Sequence, residues 1–202
     1  MTDRRPTVVL ATRNPGKLRE IRRILADCPA ELVSAAEVDA PEVEETGETF
    51  EENAILKAKG VAKATGLWAA ADDSGLAVDA LGGLPGVRSA RYSEEGTDAA
   101  NNLKLREEIR RRGLSRPSAR FVCAVALATP AEVLHVVRGE VEGVLLDEPR
   151  GENGFGYDPL FFCPDLGRTF AEARPEEKER VSHRGRAFRA LARFLEPLLE
   201  KA

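Results

Sequence analysis

The chain has 202 residues, of which 43% are hydrophobic and 32% are charged, and its net charge at pH 7 is -4. This length fits a single domain, residues 1–202, and the composition is ordinary for a globular protein, which argues against disorder along the whole chain. The acidic balance gives no hint of the basic stripe that a nucleic-acid-binding protein normally carries, so no nucleic-acid partner is expected.

The sequence also lacks the patterns of targeting and membrane segments. The apolar run Val8–Ala11 is shorter than the roughly 7–15 residues of a signal-peptide core, and no run approaches the roughly 18 residues of a membrane span. Cys28, Cys123 and Cys163 match neither a disulfide framework nor a zinc site. We therefore expect a cytoplasmic protein without a membrane partner, whose cysteines are reduced and buried.

The chain opens with a predicted strand, a tight loop and a helix. Thr7–Thr12 is short, apolar and rich in β-branched residues, which predicts a buried strand. A turn-forming cluster follows, and Lys17–Ala26 has the apolar spacing of a helix. Glu31–Ala35 is predicted as a second strand, and the acidic segment Pro41–Glu48 as a loop.

A second helix and another strand come next. Thr49–Glu52 has the form of a capping box, and the helix that it starts is predicted to reach Thr65, with Gly66 as its stop. Leu67–Ala71 is predicted as a strand that leads directly into Asp72–Gly75. The serine and glycine of that segment are expected to turn the chain sharply.

The second half begins with Leu81–Tyr92, which is predicted to be irregular, and a helix over Asp98–Arg112. Ala119–Ala128 and Val133–Leu146 are predicted as two long strands of an antiparallel hairpin. The segment that follows, Pro149–Pro164, is rich in glycine and aromatic residues. Because helices alternate with strands and a hairpin interrupts them, the pattern predicts an α/β fold with a mixed sheet.

The loop after the first strand is the first group of residues that indicates chemistry. Free N–H groups at the positive end of a helix dipole can bind an anion, and Gly16 and Lys17 would add close approach and charge. An ordinary strand-to-helix turn is the alternative, and Leu18 stands where a Walker loop has its metal-binding hydroxyl. The candidate phosphate-binding residues are Thr12, Arg13, Asn14, Pro15, Gly16 and Lys17.

Acidic residues form the second group. Asp72 and Asp73 follow a strand, at the end where ligands commonly bind in α/β sheets. Two adjacent carboxylates are costly to bury together, so at least one is expected to face solvent, a metal or a substrate. Glu44 and Glu45 are a second acidic pair. Mg²⁺ favours one or two carboxylates together with substrate phosphates, and exposed acidic turns are the alternative.

The third group is the aromatic and glycine-rich motif Phe155, Gly156, Tyr157 and Asp158. Glycines beside aromatic residues let a ring lie flat against a planar ligand, and the aspartate could accept a hydrogen bond from it. An aromatic turn packed in the core is the alternative interpretation.

The fourth group lies before and at the start of a final helix, which is predicted over Ser182–Lys201 with Ser182 as its N-cap. Lys178, His183 and Arg184 supply cationic groups and hydrogen-bond donors there. A capping or surface role for the histidine is the alternative. Together the four groups match phosphoryl-transfer chemistry, in which positioning and electrostatics dominate.

Taken in order, these motifs resemble one protein family over nearly the whole chain. The family is that of the non-canonical purine nucleoside triphosphate pyrophosphatases, also called inosine triphosphate pyrophosphatases or the Ham1-like family. The segments that carry the resemblance are 11–17, 44–47, 50–54, 71–76, 86–92, 154–159 and 182–185.

The resemblance implies hydrolysis of ITP, dITP and XTP to the monophosphate and pyrophosphate, which clears them from the nucleotide pool, with Mg²⁺ as cofactor and a homodimer as the assembly. It implies an elongated single α/β domain, with a long mixed sheet flanked by helices and an active cleft between two lobes. Asp73 matches the family's proton acceptor and one metal ligand, and Glu44 matches the other ligand. The implied substrate contacts are the 12–17 loop, Ser74, Phe155 to Asp158, Lys178, His183 and Arg184.

Base selection follows from the same residues as a hypothesis. Hypoxanthine and xanthine carry a 6-oxo acceptor where adenine has an amino donor, so Arg184 or backbone amides near that edge would favour them.

The competing interpretations of the function are a pyrophosphatase for pyrimidine nucleotides on a similar scaffold, a nucleotide sensor without turnover and an RNA-binding module. The sensor is disfavoured because Glu44, Asp72 and Asp73 are all present, and the RNA-binding module because of the acidic balance.

Overall fold

The computed structural model of the protein describes residues 6–199 and contains a mixed sheet with five α-helices in that range. The strands are β1 Thr7–Leu10, β2 Glu31–Ser34, β3 Trp68–Val78, β4 Ser118–Ala128, β5 Val133–Leu145, β6 Phe161–Cys163 and β7 Arg168–Thr169. The α-helices are α1 Pro15–Ile24, α2 Phe50–Thr65, α3 Asp98–Arg111, α4 Pro175–Val181 and α5 His183–Leu199. There are also two 3-10 helices, Asp79–Leu81 and Gly86–Arg91, and the second lies within Leu81–Tyr92, the region predicted to be irregular.

The sheet confirms the predicted α/β class. Its strand order is β2-β1-β3-β4-β5-β6-β7. Strand β1 pairs in parallel with both β2 and β3, whereas β6 is antiparallel to both β5 and β7. Neighbouring strands β4 and β5 are joined by residues 129–132, a connection too short for a parallel crossover, so they form the predicted antiparallel hairpin.

The chain divides into two compact units. The described residues of the first are 6–73, 123–139 and 184–199, and those of the second are 74–122 and 140–183. Each unit has its own apolar core. The core of the first includes Val8, Leu10, Ile21, Leu25, Val125, Leu127, Phe188, Leu191 and Leu195. The core of the second includes Leu76, Val78, Leu105, Phe121, Val141, Leu145, Leu160, Phe161 and Phe170.

Helix α2 begins and ends as its sequence predicts. The Thr49 side chain accepts a hydrogen bond from the Glu52 N–H, and the Glu52 carboxylate accepts one from the Thr49 N–H, which completes the capping box. At the other end Gly66 adopts a left-handed conformation with φ 72°, which glycine tolerates without strain. Local chemistry alone therefore determines the limits of this helix.

The predicted turn at Ser74–Gly75 is wrong, because β3 runs straight through it to Val78. Gly75 is there for a close approach of the backbone rather than for a bend. A Cβ at this position would lie 2.5 Å from the Gly86 carbonyl oxygen and would also collide with the Ser89 hydroxyl. That hydroxyl accepts a hydrogen bond from the Leu76 N–H and donates one to the Gly86 carbonyl.

We expect Gly75→Ala to destabilise the protein by about 1–3 kcal/mol, since the added methyl group must displace backbone as well as a side chain. Urea unfolding measures the loss. Gly60→Ala on α2 is the control, because there the new Cβ meets only the side chain of half-buried Val43, at 2.7 Å, which can shift. Equal costs for the two variants would contradict the close-approach interpretation.

The C-terminal region contains more regular structure than the sequence indicated. Helix α4 and the short strands β6 and β7 were not predicted. The last helix begins at His183, one residue after the predicted start. Its predicted end at Lys201 lies outside the described residues. Among the residues described, no helix has the length and apolar character needed to cross a membrane.

Candidate active site

The loop between β1 and α1 is built around the start of the helix. Asn14 is the N-cap, and its side-chain oxygen accepts a hydrogen bond of 3.0 Å from the Lys17 N–H. The Asn14 N–H donates in turn to the Thr12 hydroxyl. Pro15 occupies the first turn, where its missing N–H is not needed, so α1 begins two residues earlier than predicted. The loop has the geometry of an anion site at a helix N-terminus.

A buried network of charges lies behind this loop in the first unit. Lys17 Nζ is 3.1 Å from Asp72 Oδ2, and Arg184 Nη2 is 3.6 Å from the same oxygen. Arg184 Nη1 donates to Glu20 Oε2 at 2.5 Å. Burial alone would raise the pKa of Asp72, but the charges of Lys17, Arg184 and Lys57 hold it well below the usual range. Asp72 is therefore an ionised, paired carboxylate.

Arg184 was predicted to contact the substrate base, and in the structure its guanidinium is bound by protein carboxylates. The residue is 2% exposed, and both Glu20 and Asp72 bind it. Arg13, which was predicted to bind phosphate, is exposed and donates from Nη2 to the Ala40 carbonyl. Both substrate roles remain predictions.

Asp73 points to the opposite face of β3, because successive strand residues alternate. One of its oxygens accepts a 3.0 Å hydrogen bond from Asn53 Nδ2 on α2. Lys57, one turn further along α2, donates to the Asp72 carbonyl and pairs with Glu45 at 2.7 Å. Burial raises the pKa of Asp73; Lys57 opposes that shift and Glu45 adds to it. The pKa of Asp73 is thus closer than that of an ordinary aspartate to the value that suits a general base.

Both aspartates are buried, at 1% and 4% exposure for Asp72 and Asp73. Neither therefore faces bulk solvent, and of the expected partners, solvent, a metal or a substrate, the last two stay predictions. The two buried carboxylates are stabilised by different partners. Asp72 is neutralised by Lys17 and Arg184, whereas Asp73 keeps an amide partner and an unfavourable carboxylate neighbour in Glu45.

The acidic loop before α2 presents its two glutamates differently. Glu44, the predicted metal ligand, is exposed, and Glu45 is partly buried against Lys57. Within residues 6–199, no group of three or more His, Cys, Asp or Glu side chains is placed to hold a metal ion. The donor set nevertheless fits Mg²⁺ in kind, since the Glu45 carboxylate acts on Asp73 and Mg²⁺ needs only one or two carboxylates besides phosphates and water.

In the second unit the predicted base-binding residues converge. Lys178 Nζ lies 2.6 Å from Asp158 Oδ2 and 5.0 Å from the centre of the Phe155 ring. The same aspartate oxygen accepts a hydrogen bond from the Phe155 N–H. Gly154, with φ 76°, has no space for a Cβ beside that carboxylate. The fold thus assembles an aromatic ring, a buried cation and a carboxylate from separate segments.

The other predicted contacts of this unit are engaged within the fold. Tyr157 is buried, and its hydroxyl donates to the Ser89 carbonyl at 2.8 Å. Burial also raises the pKa of the Tyr157 hydroxyl, so it stays protonated. His183 is buried and stacks on Phe121, with ring centres 4.7 Å apart. Ser74 is half-buried on β3, directly after Asp73.

Comparison with known proteins assigns the chain to a family. The sequence model of the Ham1 family matches residues 8–194. The chain belongs to the Ham1 family. A dITP/XTP pyrophosphatase of Frankia alni is 54% identical over 198 residues, which cover 95% of this chain and 98% of the relative. Another, from Bacillus subtilis, is 48% identical over 190 residues, or 93% of this chain and 96% of the relative.

A solved structure of a Ham1 protein supports the fold. The HAM1 protein from Coxiella burnetii superposes with a TM-score of 0.86 at 44% sequence identity, covering 94% of this chain and 98% of that protein. The mixed sheet and its flanking helices are therefore those of a Ham1 protein.

Three polar residues of this Ham1 chain were not singled out as site residues from the sequence. Asn53 and Lys57 lie four apart on α2 and contact β3, and Glu20 is three residues after Lys17 on α1. The sequence of α2 does contain a pattern that could have identified Asn53. Asn53 falls among the apolar positions of α2, and a polar residue on a buried helix face requires a partner.

Proposed function

We propose that this Ham1 protein hydrolyses dITP, XTP and ITP to the nucleoside monophosphate and pyrophosphate. The observation that carries the proposal is Asp73, a buried carboxyl of raised pKa on the strand that also anchors the phosphate-loop lysine through Asp72. The relatives that bear the name dITP/XTP pyrophosphatase support the choice of substrate.

Asp73 is the proposed proton acceptor. It takes a proton from a water molecule whose oxygen attacks the α-phosphorus, and the bond from that phosphorus to the bridging oxygen breaks. The products are the monophosphate and pyrophosphate, and the water supplies the added oxygen and protons. A raised pKa brings the carboxyl closer to the operating pH, where a general base is most effective.

The departing pyrophosphate carries the negative charge that must be stabilised. The proposed contacts are Lys17 and the loop residues Thr12, Arg13, Asn14, Pro15 and Gly16. The loop lies at the positive end of α1, where Gly16 has a backbone N–H and Pro15 has none, and Lys17 adds a full charge. Fixed donors of this kind stabilise charge without reorganising during the reaction.

Mg²⁺ is the proposed cofactor, with Glu44 and Asp73 as the residues that would hold it. When bound, it would polarise phosphate oxygens and offset their charge. Burial is the main cause of the raised pKa of Asp73, and the Glu45 carboxylate adds to it; a cation would relieve that repulsion between two carboxylates. Chelation by EDTA is expected to abolish turnover, and added Mg²⁺ to restore it.

The base and sugar are assigned to residues of several elements. Phe155 would offer a ring face for stacking, and the Lys178–Asp158 pair would offer a charged edge. The Tyr157 hydroxyl already binds Ser89, and the Arg184 guanidinium already binds Glu20 and Asp72. Their proposed role is therefore to position neighbouring groups as well as to contact the ligand. The remaining proposed contacts are Ser74, Gly156 and His183.

Pyrophosphate release from a panel of nucleotides tests the function. We expect dITP, XTP and ITP to be preferred over ATP and GTP by about ten- to a hundredfold per mismatched polar group, because a buried unpaired group is costly. The panel includes dUTP and dTTP, and preference for these would favour a pyrimidine enzyme. Equal kcat/KM for ITP and GTP would refute the preference for non-canonical purines.

We also propose the oligomeric state, the domain extent and the cellular location of the protein. The activity is assigned to residues 1–202 as one domain, since relatives match nearly the whole chain. A homodimer is proposed, which the molar mass in solution measures. The cytoplasm is the proposed compartment, because the nucleotide pool is there.

A further inference from the structure

Gly156 lies among the proposed base contacts Phe155–Asp158, and both its backbone N–H and its carbonyl are hydrogen-bonded to side chains of helix α3. The Gly156 N–H donates to Asp98 Oδ2 at 2.7 Å, and the Gly156 carbonyl accepts from Asn102 Nδ2 at 2.8 Å. Asp98 and Asn102 lie four residues apart, so they share one face of α3. A single helix therefore orients both peptide groups of one glycine.

The orientation of the Asn102 amide is itself determined by its neighbours. Its nitrogen donates to the Asp98 carbonyl at 2.7 Å as well as to Gly156. Both partners are carbonyl acceptors, so only the amide nitrogen can face them. Asn102→Asp would therefore place a carboxylate against two carbonyl oxygens with almost no change of shape.

The start of α3 is well anchored within the same unit. The Thr97 side chain caps the Ala100 N–H. Asn101, 2% exposed, accepts from the Ser93 N–H and donates to the Ala90 carbonyl. The two side chains that hold Gly156 thus project from a fixed base.

These contacts set the direction of the loop's backbone groups. In a trans peptide the N–H and C=O point in opposite directions. Since Asn102 holds the Gly156 carbonyl toward α3, the Tyr157 N–H of the same peptide points away from it. Gly156 itself has φ 62°, which suits glycine. A backbone donor is one of the groups that a 6-oxo base requires.

We propose that Asp98 and Asn102 are positioning residues for base selection, which hold the Phe155–Tyr157 backbone in the orientation that favours 6-oxo purines. This inference rests on the proposed function. It predicts that loss of either side chain impairs recognition of the base, through KM, more than it impairs the chemical step, through kcat.

The experiment compares Asn102→Asp and Asp98→Ala with two controls. Both variants are expected to raise KM for dITP roughly tenfold, the effect of one lost charged or oriented hydrogen bond, with kcat little changed. The preference for dITP over dATP, whose base carries an amino group in place of the 6-oxo group, should narrow by a similar factor. Asp98→Asn retains an acceptor oxygen for Gly156 and should keep most of the preference. Thr97→Ala weakens the same helix start without touching Gly156, and should leave the preference unchanged.

A second readout needs no nucleotide. Hydrogen exchange at the Gly156 amide, followed by NMR, should accelerate in Asp98→Ala and not in Thr97→Ala. Wild-type turnover of dITP is measured first. Its absence would refute the proposed function, while the exchange result would still report on the contacts themselves. Equal losses for dITP and dATP, or an unchanged preference together with unchanged exchange, would overturn the positioning role. If Asn102→Asp does not fold, Asp98→Ala decides by the same criteria.

Discussion

Asp73→Asn is expected to lower kcat for dITP by about 10²–10⁴-fold, the range of a lost general base, while the protein stays folded. The asparagine has the same shape, and its amide oxygen can still accept the hydrogen bond from Asn53 Nδ2. It cannot take a proton from water. Because burial disfavours the ionised form of Asp73, removing its charge should leave the melting temperature unchanged or raise it.

Initial rates of pyrophosphate release and a thermal unfolding curve of the same sample measure the two effects. Asp79→Asn is the matched control, because it makes the same chemical change in an exposed residue that pairs with Arg120. That control should retain wild-type kcat. Near-normal turnover by Asp73→Asn would eliminate Asp73 as the proton acceptor. Lost turnover with a collapsed melting temperature would indicate a structural role instead.

Arg184→Met is expected to cost about 3–5 kcal/mol of unfolding free energy, the usual result of removing one partner from a buried ion pair. Arg184 is 2% exposed and lies between Glu20 and Asp72. Without the guanidinium, buried Glu20 would lose its ion pair with Arg184, and Asp72 would retain its ion pair with Lys17 but lose the one with Arg184. Urea unfolding at neutral pH gives the free energy.

Two further variants make this result interpretable. Glu20→Gln combined with Arg184→Met should cost less than the sum of the single changes, since the two residues are in direct contact. Arg22→Met removes an ion pair to Glu37 of similar length, 2.6 Å, but one whose side chains are 44% and 55% exposed. It should cost less than about 1 kcal/mol. A similar cost for Arg22→Met and Arg184→Met would show that the buried network contributes little.

Much of the fold follows from local patterns in the sequence. The capping box at Thr49 and the stop at Gly66 delimit α2 because both act through hydrogen bonds and dihedral angles of adjacent residues. The hairpin of β4 and β5 follows from two long apolar runs and a short connection. The prediction of a turn at Gly75 was wrong because this glycine is needed for close contact with Ser89 and Gly86, which are not its neighbours in the sequence.

The sequence by itself determined the α/β class, the main helices and the motifs that mark a Ham1 protein, because these depend on periodicity, capping and residue order. Only the tertiary structure decided how the site residues are partnered. Arg184 meets Glu20 across 164 positions, Asn53 meets Asp73 across 20, and Asn102 meets Gly156 across 54. A carboxylate's pKa and a loop's orientation depend on such partners, and sequence spacing carries no record of which distant side chain will supply the opposite charge or the hydrogen bond.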